Sequence, residues 1–194
     1  SAGDTCILRS TAANTVEVLS YSYAGIVPNA SITPAKLSQP PTLGTSVATT
    51  SGTAIDITGI PSWVNKVSVL FNGISTAGAA SGTLLQLGTS GGVVNTGYTS
   101  TCVSSAATNT VVSFASTAGL AVQSGAIGDS FIGVYELRRF SGNTWIGFIS
   151  GNRSGNGWSG GGSIALGGAL DRIRLTNANG TDTFDAGSIN VMYE

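Results

Sequence analysis

Lys66-Val67-Ser68-Val69-Leu70-Phe71 sets Val67, Val69 and Phe71 on one face of an extended chain, with Ser68 and Leu70 on the other. Alternation of period two is the mark of a strand with one side turned to a core. Outward from it, Ile55–Ile57, Thr83–Leu87, Thr110–Ala115 and Phe131–Phe140 read as further strands. Ser141-Gly142-Asn143-Thr144 separates the last of these from Trp145–Ile149, which predicts a hairpin. Near the chain end, Leu170–Thr176 and Ser188–Tyr193 flank the turn-rich stretch from Asn177 to Gly187. Ile173 and Leu175 alternate with Arg172, Arg174 and Thr176 in the first; Ile189, Val191 and Tyr193 share a face in the second. Glycine interrupts every attempt at a helical period. Many short strands with turn signals between them predict an all-β, antiparallel chain, a β-sandwich or a barrel-like fold.

The composition narrows the chemistry. Of 194 residues only 9% are charged and 41% are hydrophobic, with a net charge of −1. Such a chain has little self-repulsion to keep it unfolded. Eight Lys and Arg against nine acids leave no basic field, which speaks against nucleic acid or an anionic membrane as partner. There is no His, which removes the commonest general base and most zinc sites. Two cysteines, Cys6 and Cys102, are too few for a thiolate metal site; they read as two buried small residues or as one bridge. No apolar run is long enough for a membrane helix, so no insertion is expected. Ser1 in place of an initiator Met reads as the start of a processed or excised chain. With so few Lys and Glu to blunt strand edges, self-association is one way for the edges and apolar faces to be covered.

The first 44 residues differ in character. Thr15–Tyr23 has strand composition, but Ala30–Gly44 holds Pro34, Pro40 and Pro41, each of which pushes the preceding residue away from the α region. This predicts an N-terminal strand and a Pro-containing neck over residues 1–44, then a head domain over residues 45–194.

Several segments resemble the tail fibres of tailed bacteriophages. Ser31-Ile32-Thr33-Pro34-Ala35-Lys36-Leu37 resembles the I-T-x-A-K-L signature of their shaft and neck. Ile55 to Val67, IDITGIPSWVNKV, resembles the I-D-F-T-x-I-P-x-x-V-K-R-I opening of a C-terminal fibre domain. Phe71–Thr76, Gln86–Gly92, Thr96–Tyr98, Leu170–Leu175 and the closing Gly180–Glu194 follow in the same order, so the resemblance covers roughly residues 30–194. It is thinnest across Val103–Asp129. It implies a virion protein on a tail or other surface appendage, homotrimeric, with an antiparallel, jelly-roll-like β-sandwich head used in host attachment. Its implied partners are further copies of itself, other phage virion proteins, and a bacterial cell-surface glycan or lipopolysaccharide. A threefold neck would bury Ile32 and Leu37, which so short a Pro-broken segment cannot bury alone.

The candidate ligand site is Gly151–Gly162, GNRSGNGWSGGG, read as a glycine-rich loop presenting Asn152, Arg153, Asn156 and Trp158. A sugar surface needs an aromatic face for stacking beside polar groups that fix hydroxyls. The other reading is a hairpin loop whose Trp packs back on the domain or on a neighbouring subunit. Tyr98 is a second stacking candidate or a plain surface or interface tyrosine, and Trp63 reads as a plug at the domain base. Asn177–Asp182 has the oxygen-rich look of a calcium loop but lacks its acidic first position and terminal Glu, so it reads as a turn. Asp182 and Asp185 fall in that same loop region, with nothing to predict a cleft between facing carboxyls. Arg138 and Arg139 point to opposite faces of one strand, one of them exposed and the other open to pairing with an acid such as Glu136. No catalytic residue, metal ligand or cofactor is expected, and the chain is read as a non-enzyme. Three functions are weighed: a fibre head that binds host glycans; a collar, head-fibre or capsid-decoration protein with a structural role only; and, ranked last, a polysaccharide depolymerase.

Overall fold

The computed structural model describes residues 5–13, 15–22, 38–78, 81–105, 111–123 and 129–194, and the chain divides into two compact units, Ser1–Pro40 and Pro41–Glu194. Ile32 and Leu37 lie outside the described residues. In the first unit β1 (Thr5–Ala12) pairs antiparallel with β2 (Thr15–Ser22), with register shifts at Ile7/Leu8 and Ser10/Ala12. Arg9 and Glu17 form an exposed ion pair at 2.6 Å across it. Ile7, Leu8, Val16 and Val18 are all exposed. The sequence pattern gives β2 but not β1, where Cys6-Ile7-Leu8 runs apolar without alternation.

The second unit holds β3 (Thr42–Leu43), β4 (Val47–Ala48), β5 (Ala54–Thr58), β6 (Lys66–Ala77), β7 (Thr83–Thr89), β8 (Gly92–Val93), β9 (Thr99–Ser105) and β10 (Val111–Ser116). It continues with β11 (Leu120–Gln123), β12 (Phe131–Ser141), β13 (Thr144–Arg153), β14 (Asn156–Ala165), β15 (Arg172–Asn177) and β16 (Thr183–Tyr193). The expected domain start was Thr45; Thr42–Leu43 already pairs with β16, through Met192 and Tyr193. Every pairing is antiparallel. Nine strands form one sheet in the order β10-β9-β14-β13-β12-β6-β16-β3, with β4 also on β16. Five form the other in the order β11-β7-β15-β5, with β8 on β7. Among the described residues there is no helix.

The alternation read in β6 is the alternation that folds. Val67, Val69 and Phe71 are buried and join Tyr135, Leu137, Trp145 and Ile149 from the same sheet. Leu85, Leu87, Ile173 and Leu175 meet them from the other sheet, so one core lies between two antiparallel sheets. Ser68, on the other face, is only 4% exposed, a short side chain set between its longer cross-strand neighbours Glu136 and Met192. The longest strands bend where Gly73 (φ +65°) and Gly187 (φ +92°) oppose each other. A side chain at 187 would run into the Gly73 carbonyl, and the register of β16 shifts at this point. Thr49 closes the bend, donating its hydroxyl to the Ala186 carbonyl at 2.7 Å and its N–H to the Gly187 carbonyl at 3.0 Å.

Candidate functional site

Gly151–Gly162 is not a loop. β13 runs on to Arg153, Ser154-Gly155 makes the turn, and β14 pairs residue by residue with β13 on one side and β9 on the other. Glycines are tolerated here because a large ring fills the room they leave. Trp158 lies against Gly133 and Gly151, is only 4% exposed, and meets Phe131 edge to face at 5.6 Å; Phe131 meets Phe71 in turn at 5.5 Å. The indole is thus a core side chain, which corrects the expectation of an exposed stacking face. Arg153 pairs with Asp129. Asn152 accepts the Gly155 N–H at 2.9 Å and clamps the turn, while Asn156 is partly exposed.

Tyr98 is corrected in the same way. It is 2% exposed, and its hydroxyl accepts the Leu87 N–H at 2.7 Å and faces the Val94 carbonyl at 2.9 Å. Burial pushes its pKa up to about 12. Tyr98→Phe leaves the Leu87 N–H without that partner inside the sandwich. The expected loss is about 1–3 kcal/mol of stability, read by urea denaturation. The structure therefore does not bring the five expected ligand residues together on one surface: both rings point inward, Asn152 clamps the hairpin turn, and Arg153 pairs with Asp129.

The other sequence candidates resolve into structural contacts. Trp63 packs edge to face on Tyr193 at 6.0 Å. Glu136 faces Lys66 at 3.8 Å, and Lys66 in turn holds Glu194 at 2.8 Å. Arg139 spreads its guanidinium over the preceding turn, donating to Asn65 Oδ1 and the Val64 carbonyl, each at 2.9 Å, and to the Trp63 carbonyl at 3.3 Å. Cys6 is exposed, Cys102 buried, and both are free thiols; burial pushes that of Cys102 up to about 11. Asn179 takes the N–H groups of Thr181 and Asp182 on its Oδ1 at 3.0 and 3.1 Å, an Asx turn. No group of three His, Cys, Asp or Glu able to hold a metal exists among the described residues. Asp185 accepts the Ser75 hydroxyl, and Asp182 is 4% exposed.

A different site comes from residues that the sequence did not group. A polar cleft of about 330 Å³ lies over the outer face of β7 and β15, walled by Val93, Asn95, Ala118 and the turn from Asn177 to Gly180. Leu84, Gln86 and Arg174 form its floor. Gln86 gives its amide N–H to the Ala118 carbonyl at 2.8 Å, which leaves its carbonyl oxygen uncommitted. Asn179 spends its oxygen on the turn, which leaves its amide N–H₂. Arg174 binds Asp56 through Nε and Nη2, both at 2.7 Å, and keeps Nη1. Spare donors and acceptors in one small cleft suit a hydroxyl-rich ligand. No motif announces it, because two strands supply its floor and three separate connections most of its wall.

The hydrogen bond from Arg174 holds the Asp56 carboxyl below its usual 3.8. A lowered folded value gives stability that is fully present above the unfolded pKa and is lost as pH falls through the folded one. Melting temperature should therefore drop on acidification below about pH 4, and Asp56→Asn should flatten part of that drop. The change is small, since the two side chains are 37% and 42% exposed. No protein-family model, curated protein or solved structure matches the chain.

Proposed function

We propose that this chain is a bacteriophage virion protein: a homotrimeric tail-fibre head that contacts bacterial surface glycans or lipopolysaccharide during attachment, without catalysing a reaction. The observation that carries the reading is the ordered run of fibre-like segments from Ser31 to Glu194. The two-sheet architecture supports a jelly-roll-like head, and the cleft at Asn95, Asn179 and Arg174 offers the uncommitted polar groups that a glycan needs. Exposed Ile7, Leu8, Val16 and Val18 support burial of the N-terminal unit against further copies, with Ile32 and Leu37 as the neck contacts.

One observation favours a second reading, a collar, head-fibre or capsid-decoration protein with a structural role only. Trp158 and Tyr98, the two rings read as sugar-stacking candidates, are buried, and among the described residues none that lines the cleft is aromatic. Binding of the labelled full chain to bacteria with intact and with truncated surface polysaccharide separates the two. Loss of binding to the truncated cells supports attachment; equal binding to both overturns it and leaves the structural role.

A further inference from the structure

The outward positions of β13, β14, β9 and β10 carry no charged side chain. Along these four adjacent strands they read Thr144, Ile146, Phe148, Ser150 and Asn152; then Gly157, Ser159, Gly161 and Ser163; then Thr99, Thr101, Val103 and Ser105; then Val111, Ser113 and Ala115. β12 and β6 extend the apolar surface through Ile132, Val134 and Leu70, beside a shallow apolar groove of about 450 Å³. Phe148 is 52% exposed, Ile132 50%, Ile146 43% and Val111 65%. The outer face of the five-stranded sheet is the opposite: it carries Asp56, Arg172 and Arg174, the dress of a solvated surface.

Gly157 adds a second, independent sign. Its φ is ordinary, and among the described residues no atom lies within 4 Å of where a side chain would begin. Neither backbone strain nor packing among the described residues calls for glycine, although glycine weakens a strand interior. With no register shift at Gly157 to mark a bulge, such a glycine leaves room for a ligand or another backbone to approach closely.

We infer that this face is the seat of a second copy of the chain, packed sheet against sheet over Phe148, Ile132 and Gly157. The exposed apolar side chains leave on the order of 400 Å² in water, about half of the roughly 800 Å² each partner buries in a standard interface; the intervening Ser, Thr and Gly supply the rest. The face is neutral, and its charged rim holds both signs together, Lys66 between Glu136 and Glu194, so it does not repel its own kind. A net charge of −1 keeps long-range repulsion between copies small. The inference extends the assembly half of the proposed function and is independent of its glycan half.

Light scattering on the full chain tests it, with Phe148→Lys, Gly157→Val and, as a control on the other sheet, Thr58→Lys. The wild type and the control should weigh a multiple of 19.3 kDa. Both face variants should fall to one chain mass, with circular dichroism and melting that still report a folded sandwich. Gly157→Val is the cleaner probe, because it adds an isopropyl group where no described residue lies within 4 Å of its first carbon. A wild type of single-chain mass overturns the inference. So does a multimer that survives both face variants but dissociates with Ile32→Ser and Leu37→Ser; that result leaves the neck assembly of the proposed function standing.

Discussion

Trp158→Ala is expected to remove about 3–5 kcal/mol of stability, the usual cost of truncating a buried Trp. The ring fills the space over Gly133 and Gly151 and abuts Phe131, which in turn packs on Phe71; without it a cavity opens where four strands converge. Backbone glycines have no side chains with which to close that cavity, so relaxation recovers little. At this chain length the melting temperature should fall by roughly 10 °C. A stability loss under about 1 kcal/mol would return Trp158 to the surface role that its glycine-rich setting suggests.

Gly151→Val should cost as much from the opposite direction. The first side-chain carbon would land on the Ile132 carbonyl and within 2.8 Å of the Trp158 ring at Cε3. The carbonyl belongs to β12, whose ladder with β13 runs from Phe131 to Ser141 and cannot shift at one residue alone. Overpacking of a filled site costs typically about 1–3 kcal/mol, and a backbone obstacle places this variant at or above the upper end. The two substitutions are coupled through one volume. In the double variant the ring is gone and only the carbonyl obstructs, so the combined loss should fall short of the sum by about 1 kcal/mol or more. Chemical denaturation of the four proteins measures it, and strict additivity would mean that the ring and the glycine do not share that space.

The sequence reading reached far into the fold and only a little into the site. Period-two alternation in Lys66–Phe71, Leu170–Thr176 and Ser188–Tyr193 gave the inward residues of β6, β15 and β16, since which face of a strand is buried is a local property of the chain. The turn at Ser141–Thr144 was legible for the same reason, and Gly142 there takes φ +52°. β14 was not legible: seven of the ten residues of Asn156–Ala165 are Gly, Ser or Asn, and only its two neighbours, β13 and β9, make it a strand. Trp145-Ile146-Gly147-Phe148-Ile149 did carry a signal in being apolar at almost every position, which the structure resolves into a buried face and the exposed face of Ile146 and Phe148.

By itself, then, the sequence determined that the chain is all-β, which residues turn inward in its alternating strands, and which common catalytic and metal chemistries its lack of His removes. Only the tertiary structure decided that Trp158 and Tyr98 are core, because burial depends on which distant strand supplies the cover: Phe131 for one, the backbone of Leu87 and Val94 for the other. It also decided where polar groups are left over. Gln86, Asn95, Arg174 and Asn179 are ordinary residues in sequence and form a cleft only because antiparallel pairing sets Gln86 beside Arg174 and the fold brings three connections around them. Hydrogen-bond satisfaction is a property of neighbours in space, and spacing along the chain does not report it.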